Sequence, residues 1–168
     1  MIADDEFLSS SAPKVNLEGA SGYFLLSLLP LLCTSIVYYS VYNMSIEDYW
    51  ILYALVIFGS SSMLTLGLVT LEQGSLARLN HSRGGGINAN LLKKLNISKE
   101  SADKIQTETT TLEATSWAFF IVNFVFAITF LFIAFYVLTW VPEIYYNYTA
   151  SNLIAAAAAW QLASAMSK

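Results

Sequence analysis

Residues 72–104 read EQGSLARLNHSRGGGINANLLKKLNISKESADK and hold six of the chain's eight lysines and arginines: Arg78, Arg83, Lys93, Lys94, Lys99 and Lys104. The other two are Lys14, near the start, and Lys168. Around this stretch run four segments without a charged residue, 19–46, 49–71, 114–142 and 144–167. A helix rising about 1.5 Å per residue needs roughly 20 mostly apolar residues to cross about 30 Å of hydrocarbon, and each segment is long enough. Four crossings place both termini and the middle stretch on one side, and basic residues close to spans mark that side as cytoplasmic. The short connections 43–48 and 142–148 carry no Lys or Arg. Hydropathy and charge bias therefore predict one topology: an all-α membrane protein with four transmembrane helices and a cytoplasmic helical hairpin between the second and third.

Four regions follow from this reading. Residues 1–18 are an acidic cytoplasmic tail, 19–71 a first transmembrane helix pair, 72–113 a basic helical loop, and 114–168 a second transmembrane pair. Composition agrees with a membrane protein: 56% of the 168 residues are hydrophobic and only 12% are charged. The net charge of −4 comes largely from Asp4, Asp5, Glu6 and Glu18, and carboxylates contribute little to orientation. The tail, with Ser9, Ser10 and Ser11 in a row, shows no lasting helical period and is expected to be flexible. No basic n-region precedes the first apolar run, so that span is expected to stay as an uncleaved anchor. Four Asn-x-Ser/Thr sequons occur, at Asn43, Asn80, Asn96 and Asn147. The topology puts two in the cytoplasm and presses two against the membrane, so no glycan is expected.

Within the spans, Pro30 removes one backbone hydrogen bond and can kink the first helix. Tyr38, Tyr39, Tyr42, Tyr49, Trp50 and Tyr53 flank one short connection, and Trp140, Tyr145, Tyr146 and Tyr148 the other. They read as an aromatic belt at a single interface. Gly59, Ser60, Ser61, Ser62 and Gly67 let the second helix approach a neighbour closely. The fourth segment is the weakest by hydropathy, with five alanines at 155–159 between Asn152 and Gln161, and is expected to pack against protein rather than lipid. In the middle stretch, Gly84, Gly85 and Gly86 separate two arms. Leu91, Leu92, Leu95 and Ile97 follow at near-helical spacing and are expected to pack the arms together. Ser98 can cap a further helix, with Ile97 and Ala102 as a staple and Glu100 near the positive end of the dipole. That helix is expected to run through Ile105 and Leu112 into the third span.

Catalytic constellations are scarce, and the expectation is a protein that is not an enzyme and holds no metal or cofactor. His81 is the single histidine, read as a surface loop residue; Cys33, the single cysteine, cannot form an internal disulfide and is read as a buried small hydrophobe. The glycines at 84–86 lack the Lys-Ser/Thr of a phosphate-binding loop. No charge-free segment carries Asp, Glu, Lys, Arg or His, which argues against intramembrane hydrolysis and proton-coupled transport. Asn123, about ten residues into the third span, is the most polar residue at depth, and its amide is a candidate contact with a neighbouring helix or another subunit. Arg78, Arg83, Lys93, Lys94 and Lys99 form a basic stretch open to three explanations: orientation alone, attraction to anionic lipid, or an RNA or acidic protein partner.

Taken in order, an acidic serine-containing N-terminus, two spans, a cytoplasmic helical loop and two more spans give a recognisable layout. With it come Glu113-Ala114-Thr115 entering the third span, Asn123 within it, Pro142 and Asn147-Tyr148 at the second tight turn, and the ending Ser167-Lys168. The whole resembles the gamma subunit family of the translocon-associated protein complex of the endoplasmic reticulum, also called signal sequence receptor gamma. The resemblance implies a non-enzymatic accessory subunit in the endoplasmic reticulum membrane, both termini cytoplasmic, supporting insertion of nascent chains beside the Sec channel. Its implied partners are the other subunits of that complex, the Sec channel, membrane lipid, and the ribosome, with Arg78, Arg83, Lys93, Lys94 and Lys99 as candidate rRNA contacts. Animal members carry a longer, more basic loop, whereas this one offsets its basic stretch with Glu100, Asp103 and Glu108. The competing readings are a tetraspan accessory subunit of a respiratory or transport assembly and, less favoured by the charge-free spans, a small transporter or membrane enzyme.

Overall fold

Long apolar runs with few breakers can satisfy their backbone only as helices in lipid, and that is how the chain folds. The computed structural model describes residues 17–83, 99–137, 140–141 and 143–168. Helix α1 is Leu17–Val41, α2 is Ile46–Arg83, α3 is Lys99–Phe132 and α4 is Ile144–Met166. A π-helical turn, Ile133–Val137, ends α3. Helix α1 runs through Pro30 as one element. Its end is closed by Asn43, whose φ of 53° is the left-handed conformation that Asn tolerates and that aims the Met44 N–H back at the Tyr38 carbonyl, 3.1 Å away. Glu47 and Asp48 lie in the first turn of α2, where the helix dipole favours negative charge, and a non-helical Tyr49 kinks the helix just after them.

Among the described residues, three helices are long and apolar enough to cross a membrane, over Ser21–Val41, Ile46–Ser82 and Asp103–Val137. Helix α4 is shorter, and its inward face is Asn147, Tyr148, Ser151, Asn152, Ala155, Ala156, Ala159 and Ala163, all buried. It lies parallel to α2 along a seam of glycines. A Cβ on Gly59 would touch Leu153 at 3.7 Å, one on Gly67 would meet the Trp160 Cα at 3.3 Å, and one on Gly74 would collide with Ser167 at 2.6 Å. The residues advance together on both helices, so α4 accompanies α2 for four turns. The expectation that this alanine-rich helix packs against protein is thereby met, as is close approach at the small residues of the second span. Helix α1 runs antiparallel to α2, with the Ser27 hydroxyl 3.3 Å from the Ser61 carbonyl. The core between the helices is filled by Leu31, Leu64, Leu68, Val122, Phe126 and the alanines of α4.

Three sequence expectations are corrected. Cys33 is exposed rather than buried, because α1 turns Leu31, Thr34 and Tyr38 inward and a residue two positions from Leu31 points the other way. His81 is in the last turn of α2 and exposed, not in a loop, since the helix outlasts the apolar segment. The aromatic belt is only partly a belt: Tyr39, Trp50, Trp140 and Tyr146 face outward, while Tyr38, Tyr53 and Tyr148 are buried and meet ring to ring. The expectations for residues 1–16, for the glycine turn at 84–86, for Leu91, Leu92, Leu95 and Ile97, and for the Ser98 cap lie outside the described residues.

Candidate functional site

Helix α2 does not stop where its charge-free segment does. It continues over 72–83, and α3 begins at Lys99, well before its own apolar segment starts at 114. At about 1.5 Å per residue, about 18 Å of α2 and about 22 Å of α3 extend past the apolar boundary. The expectation that the helix through Ile105 and Leu112 runs unbroken into the third span is met. At the base of the pair the Thr115 hydroxyl donates to the Glu72 carboxylate, which the Tyr23 hydroxyl also reaches, so one carboxylate joins α1, α2 and α3. Above it the hydroxyls of Thr107, Thr109, Thr110 and Thr111 bond carbonyls of their own helix at 2.7–2.9 Å. Ile105 and Leu112, seven residues apart and hence on one face, stand 57% and 69% exposed.

The structure separates the candidate residues rather than gathering them. Arg78 is exposed on the extension of α2. Arg83 ends α2 and Lys99 begins α3, and the description covers their backbones but not their side chains. Lys93 and Lys94 lie outside the described residues. Asn123 is half-buried in the middle of α3, where its amide donates to the Phe119 carbonyl one turn earlier at 2.7 Å. This bond within its own helix uses one of the amide's two N–H donors. Among the described residues no group of His, Cys, Asp or Glu could hold a metal ion.

The densest polar arrangement is one that sequence reasoning missed. Across the α1–α4 contact, Thr34 donates to Asn152 Oδ1 at 2.8 Å, the Ser35 and Tyr148 hydroxyls lie 3.0 Å apart, and Tyr38 donates to Asn147 Oδ1 at 2.6 Å. The Tyr38 hydroxyl is also 3.1 Å from Ser151 Oγ. Beside this ladder the π turn widens the end of α3, and the Ala134 carbonyl there accepts from Asn147 Nδ2 at 3.4 Å and from the Tyr42 hydroxyl at 3.5 Å. The signal that could have found it is spacing: 34, 35 and 38 on one helix, and 147, 148, 151 and 152 on the other, are each one stripe of a 3.6-residue period. Interhelical bonds of this kind contribute about 0.6 kcal/mol each on average and up to about 1.7. The ladder is thus a device for holding two helices in register, not a reactive centre.

The described residues thus form a helical bundle in which α2 and α3 run on past their apolar segments and α4 packs along the glycine seam of α2. Among curated proteins, none matches the chain. The family described as translocon-associated protein, gamma subunit, matches residues 8–165. That range takes in nearly the whole sequence and, but for Met166, the four helices of the described residues, and the chain belongs to the gamma subunit family of the translocon-associated protein complex.

Proposed function

We propose that this protein is a non-enzymatic accessory subunit of the translocon-associated complex in the endoplasmic reticulum membrane, supporting co-translational translocation and insertion beside the Sec channel and the ribosome. The observation that carries this reading is the family match over residues 8–165. In it, the chain crosses the membrane four times, with α4 as the fourth span. The parallel course of α4 along α2 from Gly59 to Gly74 supports that topology, because a helix level with a spanning helix over this length occupies the same depth of bilayer. Both termini and the 72–113 hairpin are cytoplasmic, supported by the one-sided basic residues. The hairpin reaches toward the ribosome, where Arg83, Lys93, Lys94 and Lys99 are the candidate contacts with rRNA phosphates, and Asn123 is the candidate intramembrane contact with a partner subunit.

Purification in mild detergent, followed by identification of the co-purifying proteins, tests the assignment. Other subunits of the complex, channel and ribosomal proteins are expected; respiratory subunits in their place would overturn it. Protease treatment of sealed microsomes tests the topology. Cleavage between Arg78 and Lys104 without detergent is expected, and protection of that region, or a glycan on Asn80 or Asn96, rules it out.

A further inference from the structure

Where the extension of α2 meets α3, a groove of about 430 Å³ is lined by Ser75, Arg78, Leu79, Glu113, Ala114 and Trp117. Its depth in the membrane follows from the register of the two helices. Glu72, the first charged residue after the apolar segment, bonds Thr115, so these two mark a common level. Residues 75–79 lie about 6–12 Å outward of Leu71, and Trp117 about 3 Å inward of Thr115. A headgroup layer adds about 5–7 Å to each side of the hydrocarbon core. The groove therefore bridges the hydrocarbon edge and the headgroups.

Side-chain direction brings its ends together. Side chains on a helix lean toward its N-terminus. Helix α2 leaves the membrane, so Arg78 leans back toward it, and α3 enters the membrane, so Trp117 leans outward. One groove then holds a guanidinium, whose planar fork pairs two oxygens of a phosphate, and below it an indole, 50% exposed, of the kind that settles at the ester level of a bilayer.

We propose that this groove is a phospholipid site in which Arg78 holds the headgroup phosphate of a glycerophospholipid while Trp117, Leu79 and Ala114 take its glycerol and ester region. The charge pattern identifies the occupant. An RNA strand could supply a phosphate to Arg78 and stack a base on Trp117, but Trp117 lies inward of the Glu72–Thr115 level, at the hydrocarbon edge, where a strand would have to bury its charged backbone, and its repeated charges would run past the Glu113 carboxylate in the same lining. A phosphodiester that also carries an ammonium, as in phosphatidylethanolamine, suits both charges. Arg78 is on this account a lipid residue, distinct from the lysines nearer the tip of the hairpin. The proposal rests on reading α2 and α3 as spans and not on the identity of the complex.

The test uses the full chain in mild detergent, titrated with dioleoylphosphatidylethanolamine and read by native mass spectrometry. Wild type is expected to retain one phospholipid. Arg78→Gln, a change at an exposed position that should leave melting unaltered, should weaken that binding about tenfold or more, with partial recovery in Arg78→Lys. Water-soluble glycerophosphoethanolamine and inorganic phosphate should fail to displace the lipid, since neither fills the Trp117 end. Equal lipid retention by wild type and Arg78→Gln, or displacement by inorganic phosphate, would overturn the proposal. So would an Arg78→Gln variant that keeps its lipid but loses ribosome co-sedimentation, which would make Arg78 an RNA contact. Because the isolated chain is measured, a wrong assignment of the complex leaves the result untouched, and a wrong assignment of the spans is revealed separately by the microsome protection pattern.

Discussion

The two ends of the bundle are built on opposite plans. At the short connections, side chains turn inward: Tyr38 is fully buried, 5.0 Å from the Tyr148 ring and bonded to Asn147, and the Asn152 and Ser151 side chains are fully buried beside it. At the other end α2 and α3 run on past the apolar boundary with Ile105, Leu112 and Arg78 outward. Lipid offers no hydrophobic drive for one helix to find another, so association needs close approach and directed polar contacts. The connection end supplies the polar contacts, and the α2–α4 seam from Gly59 to Gly74 supplies the close approach. The extension end, with its mostly exposed helices, keeps surface for something other than itself. One half of the molecule sets its shape and the other half presents it.

That contrast can be broken first at the glycine seam. Gly67→Leu forces a side chain against the Trp160 backbone, 3.3 Å from where its first carbon would stand, and the Ala163 methyl at 3.7 Å. Overpacking of this sort costs about 1–3 kcal/mol. The variant is expected to melt well below the parent in detergent and to lose the α2–α4 contact, measured by cross-linking cysteines placed on the two helices. Unchanged melting and cross-linking would mean that the seam does not bear on stability.

Next in size is the ladder. Tyr38→Phe keeps the ring contacts and deletes the hydroxyl that serves Asn147 and Ser151. A loss of about 0.6–2 kcal/mol is expected. A double-mutant cycle of Thr34→Val with Asn152→Leu should report a coupling of about 0.6 kcal/mol across the same pair of helices. A coupling of zero would show the bonds to be replaceable by lipid-exposed alternatives.

These residues also mark how far the sequence can be read. Three apolar spanning helices, the prolongation of two of them and the packing of the alanine-rich helix were legible because lipid forbids charge and unpaired backbone, and that prohibition is written directly in composition. Facing was not. Tyr38 and Tyr39 are neighbours in an identical aromatic context, yet one is fully buried and the other 53% exposed, because only the position of α4 distinguishes their sides. The same missing information misplaced Cys33. Of the candidate site, the one-sided charge of Arg78 was evident, but its shared groove with Trp117 depends on the Glu72–Thr115 register, a contact between residues 43 positions apart.

A smaller effect is expected at Asn123. Its amide already bonds the Phe119 carbonyl, so Asn123→Leu should change the melting of the isolated chain by less than about 0.5 kcal/mol. If the residue touches another subunit, the same variant lowers co-purification of partners while insertion is unaffected. A variant that assembles like the parent would remove Asn123 from the interface.

The smallest effect on the bundle, and the sharpest test of the contrast, is at the hairpin. Replacing Lys93, Lys94 and Lys99 with Gln removes charge from the stretch between the two extensions and leaves every residue of the described core in place. Melting should be unchanged. Ribosome association should not. Each phosphate neutralised releases condensed counterions, giving a logarithmic salt slope of roughly −0.7 to −0.9 per contact. Glu100, Asp103 and Glu108 lie close by in the sequence, which limits the expected number to about two or three contacts, with the spans supplying most of the attachment to the complex. The triple variant should therefore bind ribosomes more weakly at moderate salt and with a flatter salt dependence, while the complex stays assembled. An unchanged slope would mean that these lysines meet no RNA and that orientation in the membrane, or attraction to anionic lipid, accounts for the basic stretch.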